Sequence, residues 1–154
     1  MYEMMTPVYK LMLVKESEVS YRKEKEKCCD PESVCRLLKE FGLNDQPEES
    51  FVLLTLDARV NITGLFEISK GALSSCYVDM KSIFKRVLLS NAAGFMVAHN
   101  HPSGDCIPST HDDEITNRLK KAAEVIDVKF IDHLIVVPGN NQYFSYHENG
   151  FFER

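Results

Sequence analysis

The pattern of hydrophobic and polar positions predicts three helices. Apolar residues recur three or four positions apart over residues 34–41, 83–88 and 115–126, which is the spacing of one buried helix face. An aspartate or serine precedes each stretch, and such side chains cap helix starts by accepting hydrogen bonds from backbone N–H groups. The predicted caps are Asp30, Asp79 and Ser109, and the predicted inward-facing residues are Val34, Leu37, Leu38, Phe41, Ile83, Phe84, Val87, Leu88, Ile115, Leu119, Ala122, Ala123 and Ile126.

Short apolar runs between these helices predict the strands of a buried sheet. Two pairs of runs are separated by turn residues, around Asp57 and around Gly139, and each pair has the pattern of a hairpin. Strands and helices alternate along the chain, so we expect an α/β fold with a mixed β-sheet flanked by helices. The predicted strands are residues 51–56, 60–68, 92–98, 129–137 and 142–146.

Length and composition allow about one folded domain. The chain has 154 residues, of which 44% are hydrophobic and 27% are charged, as in globular proteins. A short apolar segment and a charged stretch over residues 1–29 predict an N-terminal arm, followed by the domain at 30–154. No run reaches the roughly 18 apolar residues of a membrane span, and the start lacks the pattern of a signal peptide. We therefore expect a cytoplasmic protein without a membrane partner.

Charge and cysteine usage narrow the function classes further. The net charge is −5, and the dense basic run at 22–27 is interrupted by glutamates, so nucleic-acid binding has no support from charge, although it stays open. The five cysteines are an odd number, include the adjacent pair Cys28 and Cys29, and form no C-x-x-C motif. Reduced thiols are therefore expected, rather than a disulfide framework or a structural zinc site.

The residues with the most distinctive chemistry lie between the third predicted strand and the third predicted helix. His99 and His101 are two positions apart, so on a strand they face the same side while Asn100 faces the other. A turn with proline and glycine follows, and Asp112 lies in the first turn of the helix. Two imidazoles and a carboxylate form the three-ligand set of a catalytic zinc site.

A purely structural interpretation competes with the metal site. Ser109 and Asp112 stand three residues apart at a helix start, which is the spacing of a capping box whose side chains satisfy backbone donors. A cupin would use a carboxylate such as Asp105 after the histidine pair, but the helical pattern that follows argues against an all-β fold. An amidohydrolase-type barrel needs about 250 residues, so this chain is too short for one.

These residues together resemble the signature of RadC-type proteins, a branch of the JAMM (MPN+) metalloprotease-like superfamily. The signature is His-x-His, seven residues, Ser, two residues, Asp, and it stands here as His99-Asn-His101, Ser109 and Asp112. Gly71-Ala-Leu, Asn91-Ala-Ala and Asp132-His133 also look like this branch, and the resemblance covers roughly residue 30 to the end. It implies the JAMM/MPN (cytidine-deaminase-like) architecture.

The resemblance implies one Zn²⁺ held by His99, His101 and Asp112, with Ser109 beside the attacking water. The leading hypothesis is a zinc-dependent hydrolase, similar to a metallopeptidase or isopeptidase, that attacks an amide carbonyl of a peptide or protein substrate. The alternative is a non-enzymatic module that binds nucleic acid or a DNA-repair partner and keeps the metal for folding. Longer RadC-type proteins carry a helix-hairpin-helix segment, which we do not expect here. A homodimer assembled through the N-terminal arm is a third hypothesis.

The superfamily also uses an upstream glutamate as general base, and Glu49 is the predicted one. It precedes an apolar strand that ends in Leu-x-Leu-Asp, as in the resembled pattern, while Glu48 and Glu67 remain alternatives. Asp132 and His133 have two interpretations: hydrogen bonds to a metal-bound imidazole, or a satisfied pair in the core, which we favour. His111 is expected to be exposed.

Overall fold

The computed structural model describes residues 6–20, 30–71, 78–139 and 141–152, and within them the helices and strands follow the predicted order. The elements are α1 (Pro31–Phe41), β1 (Ser50–Leu56), β2 (Ile62–Lys70), α2 (Met80–Leu89), β3 (Gly94–Asn100), α3 (Thr110–Val125), β4 (Lys129–Val136) and β5 (Tyr143–Ser145).

The five strands form one mixed sheet in the order β2-β1-β3-β4-β5. β1 pairs antiparallel with both β2 and β3, β3 pairs parallel with β4, and β5 closes the order antiparallel to β4. The parallel pair is joined by α3, as a crossover connection requires. The predicted α/β fold with a mixed sheet is confirmed.

Helices cover both faces of the sheet, which explains why β1 and β3 are apolar almost throughout. Alternate residues such as Val52 and Leu54 pack with α1 on one face, whereas Phe51 and Leu53 pack with α2 and α3 on the other. In β3 the residues facing α2 and α3 include Phe95 and Val97, and the alternation continues to His99. The histidine pair therefore faces the layer that contains α3.

The predicted caps are all present. The carboxylate of Asp30 accepts a hydrogen bond from the Ser33 backbone N–H at 2.9 Å, and Asp79 accepts one from that of Lys81. α3 begins after Ser109 with a complete capping box. α1 ends at Phe41 and is followed by Gly42, whose φ of 87° is the left-handed conformation that glycine adopts without strain. Local sequence therefore defines where these helices begin and end.

Two of the predicted buried helix positions are wrong. Leu88 is 60% exposed because the buried side of α2 runs through Ile83 and Val87, and one further residue turns the side chain away from the sheet. Ile126 is 37% exposed because α3 ends at Val125. Thr116, which lay outside the predicted stripe, is fully buried instead.

The start of β2 also differs, since the strand begins at Ile62 rather than at residue 60. The carboxylate of Asp57 accepts hydrogen bonds from the backbone N–H groups of Arg59 and Asn61, both at 2.8 Å. This closes a turn in which Val60 has a φ of 64°. A β-branched residue in that conformation cannot continue a strand, so the turn is longer than the predicted one.

Residues 6–20 contain no helix or strand, and most of their side chains are exposed, although Val19 packs against the core on the α1 face. No helix within the described ranges is long and apolar enough to span a membrane. Cys35 and Cys106 are free thiols, while Cys28, Cys29 and Cys76 lie outside the described residues.

Candidate metal centre

The end of β3 and the start of α3 bring three metal-ligand side chains together. His99 lies near the end of β3, His101 directly follows it, and Asp112 lies in the first turn of α3. Each offers one ligand atom, and these atoms lie within 4.8 Å of one another. His99 is fully buried and Asp112 is 3% exposed, so the cluster sits in a largely dehydrated position. The juxtaposition predicted for these residues is present.

The distances within the cluster fit a tetrahedral metal. The Nε2 atoms of His99 and His101 are 2.9 Å apart, and Asp112 oxygens lie 3.1 Å from the first and 3.6 Å from the second. Zinc bonds of about 2.0–2.1 Å in tetrahedral geometry place ligand atoms about 3.3 Å from each other. One ion could therefore bind all three side chains after small shifts.

The capping box and the ligand cluster share the same carboxylate. Oδ2 of Asp112 accepts hydrogen bonds from the backbone N–H of Ser109 at 2.7 Å and from its hydroxyl at 2.6 Å, while the Asp112 N–H donates to Ser109 Oγ at 3.2 Å. Oδ1 is the oxygen near His99. The structural interpretation of Ser109 and Asp112 is therefore correct, and it leaves one carboxylate oxygen directed into the cluster.

Electrostatics in the cluster favour an ionised Asp112. Burial alone would raise the pKa of this carboxyl, but the adjacent His101 and His99 rings and the Ser109 hydroxyl outweigh burial and hold the pKa far below its usual range. The adjacent carboxylate of Asp112 raises the pKa of His101, burial opposes that shift, and the charge of Glu49 adds to it. A negative charge in this position attracts a cation, whether it is a proton on an imidazole or a metal ion.

The orientation of the His101 ring is set by the turn after β3. Its Nδ1 lies 2.8 Å from the backbone carbonyl oxygen of Asp105. A carbonyl only accepts, so Nδ1–H must donate, and Nε2 is the ring nitrogen that lies toward Asp112 and is left for a metal. Asp105 thus acts through its backbone, while its carboxylate accepts from the Ile107 N–H.

His133 of β4 contacts the ring of His99 from behind the cluster. Its Nε2 lies 2.9 Å from His99 Nδ1, and its Nδ1 lies 2.6 Å from Thr116 Oγ1. Complete burial lowers the pKa of His133 well below its ordinary value, which favours the neutral ring. Tyr146 stacks on His133 with ring centroids 5.0 Å apart, and Phe51 stacks on His99 with ring centroids 6.0 Å apart.

We favoured a satisfied core pair for Asp132 and His133, and this interpretation is correct only for Asp132. Asp132 faces away from the cluster and accepts hydrogen bonds from the Ser145 hydroxyl and from the backbone N–H groups of His133 and His147. It is a satisfied core residue, whereas His133 contacts a predicted ligand. A period of two places neighbouring strand residues on opposite faces, so an adjacent pair cannot serve one site.

The three upstream glutamates occupy different positions. Glu49 is half-buried and precedes Phe51 by two residues, which places it on the face of β1 that contacts His99. Its carbonyl accepts a hydrogen bond from the Gly71 N–H at 3.0 Å, which extends the pairing of β1 and β2 by one residue. Glu48 is exposed, and Glu67 is exposed beside Val52, on the face that packs against α1.

Asn100 has a role that the sequence did not reveal, although its predicted orientation away from the two histidines is correct. It is fully buried, its amide donates to the carbonyls of Gln46 and Glu48 at 3.2 and 3.1 Å, and its Oδ1 accepts from the Ser50 N–H at 2.7 Å. The residue between the histidines thus holds the backbone on both sides of Glu49. The available signal was a polar residue at the end of an otherwise apolar run.

Thr116 was also missed, and His111 was placed correctly. Thr116 lies four residues after Asp112 and so on the same side of α3, where its hydroxyl reaches His133. That spacing was the signal that could have identified it. His111 is exposed, as expected from its position in the first turn of α3.

Comparison with known proteins agrees with this architecture. Residues 28–151 match the family model described as RadC-like JAB domain. The chain is 40% identical over 108 residues to a UPF0758 protein of Trichlorobacter lovleyi, covering 70% of this chain and 46% of that protein. It is 40% identical over 120 residues to a UPF0758 protein of Nitrosomonas eutropha, covering 78% of this chain and 52% of that protein. The chain thus spans about half the length of these curated relatives.

Proposed function

Because this chain belongs to the RadC-like JAB domain family, we propose that it is a zinc-dependent hydrolase that cleaves an amide bond in a peptide or protein substrate. The observation that carries the proposal is the convergence of His99, His101 and Asp112 at separations that suit a tetrahedral metal. Zinc bound there supplies Lewis acidity, which lowers the pKa of water toward about 7 and polarises a carbonyl.

Glu49 serves as general base in this proposal. Its support is the side of β1 on which it lies, its half-buried position and its electrostatic influence on His101. A carboxylate beside the cluster can take a proton from the attacking water and later give it to the leaving amine. The exposed Glu48 and the oppositely facing Glu67 fit this role less well.

Ser109 serves as donor to the developing oxyanion. Its hydroxyl is held at the cluster by the capping box, where it donates to Asp112 Oδ2 at 2.6 Å, and its side chain is solvent accessible, so a substrate can reach it. Its single hydrogen would turn from Oδ2 to the oxyanion as the oxyanion develops. Deleting such a donor typically costs about 2.7–4 kcal/mol of transition-state stabilisation. The helix start therefore positions one ligand and one catalytic hydroxyl together.

Metal content tests the first part of the proposal. Zinc per chain is measured by elemental mass spectrometry for the wild type, His101→Ala and His111→Ala. His111 is an exposed histidine close in sequence, so its variant controls for adventitious binding. We expect about one zinc in the wild type and in His111→Ala, and loss in His101→Ala. Equal stoichiometry in all three proteins would refute the metal centre.

Hydrolysis tests the second part. The zinc-loaded protein is incubated with a peptide library and with isopeptide-linked peptides, and cleavage is followed by mass spectrometry. Glu49→Gln should keep its zinc and lose cleavage by a factor of about 10² or more, whereas Glu48→Gln should retain it. Zinc binding without cleavage of any substrate by the wild type would favour the non-enzymatic module instead.

A further inference from the structure

We propose that Thr116 and His133 are positioning residues that fix the tautomer of His99, so that its unprotonated Nε2 faces the metal. This inference rests on the proposed metal centre. It gives Thr116 on α3 and His133 on β4 a defined hydrogen-bonding role behind the ligand His99.

The direction of the hydrogen-bond chain is set at the backbone of Asp112. Thr116 Oγ1 lies 2.6 Å from the Asp112 carbonyl oxygen and 2.6 Å from His133 Nδ1. A carbonyl oxygen has no hydrogen to give, so the single hydroxyl hydrogen of Thr116 must point to it. The threonine oxygen is then left as an acceptor for the ring of His133.

The remaining protons follow from this first one. Because Thr116 accepts, His133 must donate from Nδ1–H. The ring is fully buried, and the partners of its two nitrogens, Thr116 and His99, carry no negative charge, so the ring stays neutral and presents a lone pair at Nε2. That lone pair lies 2.9 Å from His99 Nδ1, so His99 must carry its proton on Nδ1. The Nε2 atom of His99, which is 3.1 Å from Asp112 Oδ1, is then free to bind a metal.

Packing prevents the rings from leaving this arrangement. Thr116, His133 and His99 are all fully buried, so water cannot substitute for a lost partner. Tyr146 lies parallel to His133 with an interplanar angle of 9°, and Phe51 lies nearly parallel to His99 at 11°. The chain of bonds begins at the carbonyl of Asp112 and ends beside its carboxylate. One turn of α3 therefore supplies a ligand and orients another.

The test pairs Thr116→Val with Thr116→Ser. Valine has nearly the same shape without a hydroxyl, and serine keeps the hydroxyl, so the two variants separate hydrogen bonding from packing. Long-range ¹⁵N–¹H spectra of the histidine rings are recorded with and without zinc, and the zinc Kd is measured by competition with a chelator. Thermal unfolding followed by circular dichroism checks that each variant folds.

We expect His133 to be protonated on Nδ1 in the wild type and in Thr116→Ser, with similar zinc affinities. Thr116→Val should populate the Nε2–H form of His133 and bind zinc about 10–100-fold more weakly, as for other partners of metal-binding histidines. His133→Gln, whose amide oxygen can still accept from His99, should bind zinc more tightly than His133→Leu.

Two results would overturn the inference: Nε2–H on His133 in the wild type, or the same spectra and zinc Kd for Thr116→Val and Thr116→Ser. These outcomes differ from failure of the metal centre itself. A wild type that binds no zinc but shows Nδ1–H on His133 would refute the proposed function and support the assigned tautomer.

Discussion

Replacing Asn100 should destabilise the protein more than replacing an ordinary buried asparagine. Its side chain makes three hydrogen bonds to the backbone of residues 46–50, between 2.7 and 3.2 Å. Neutral hydrogen bonds contribute roughly 1 kcal/mol each, so Asn100→Ala should lower the free energy of unfolding by about 3 kcal/mol. This loss is large beside the about 5–15 kcal/mol of a typical domain.

Asn44 provides the matched control. It is also buried, its amide donates to the Val137 carbonyl at 3.1 Å, and its Oδ1 has no partner within the described residues. Asn44→Ala should therefore cost only about 1 kcal/mol. Urea unfolding of the metal-free proteins is followed by circular dichroism, since the chain has no tryptophan. An Asn100→Ala cost no larger than that of Asn44→Ala would refute the reasoning.

The variant Asn100→Asp adds a pH dependence. A carboxylate there can still accept from the Ser50 N–H, but it faces the carbonyl oxygens of Gln46 and Glu48. Its folded pKa should lie above the unfolded value of about 3.9, so the folded state binds the proton more tightly. The destabilisation should therefore grow as pH rises through the folded pKa and shrink toward pH 4. A pH-independent difference from the wild type would contradict this.

Two further predictions concern α1. Burial raises the pKa of the Asp30 carboxyl, but hydrogen bonds from Ser33 outweigh burial and lower the pKa. Asp30→Ala should therefore lower the free energy of unfolding by about 1 kcal/mol at pH 7, and by less as pH falls below about 4 and the wild-type carboxylate is protonated. Urea unfolding across this range checks it, with Asp30→Asn, a neutral cap, showing a flatter profile. Burial, followed by the charges of Asp132 and Glu148, raises the pKa of Cys35 to about 12. Iodoacetamide at pH 8 should spare Cys35 in the folded protein and modify it in urea, as peptide mass spectrometry would show; equal labelling in both would contradict the raised pKa.

Much of the architecture follows from local chemistry. The caps at Asp30, Asp79 and Ser109 act within one helical turn, so the residues that define the helix starts are adjacent in sequence. The common direction of His99 and His101 follows from the period of a strand. The capping box and the common direction of the two histidines depend only on residues close in sequence, so both could be predicted before the fold was known.

Helix edges and turns were less predictable because they depend on what each element packs against. Leu88 and Ile126 fit the apolar spacing, yet Leu88 lies one residue past the buried side of α2 and Ile126 lies just beyond the end of α3. Val60 fits a strand, but the side chain of Asp57 closes a longer turn through Asn61. Spacing alone gives the direction of a side chain, and only the neighbouring layer determines whether that direction is buried.

The sequence by itself determined the fold class, the caps and the spacing of the ligand types, since each depends on residues only a few positions apart. The tertiary structure decided how distant residues meet. The pairing of Phe51 with His99 sets which side of β1 Glu49 occupies, Asn100 binds backbone 50 residues away, and Thr116 meets His133 between α3 and β4. These contacts depend on strand register and helix rotation, and a shift of one residue would reverse the face on which each side chain lies.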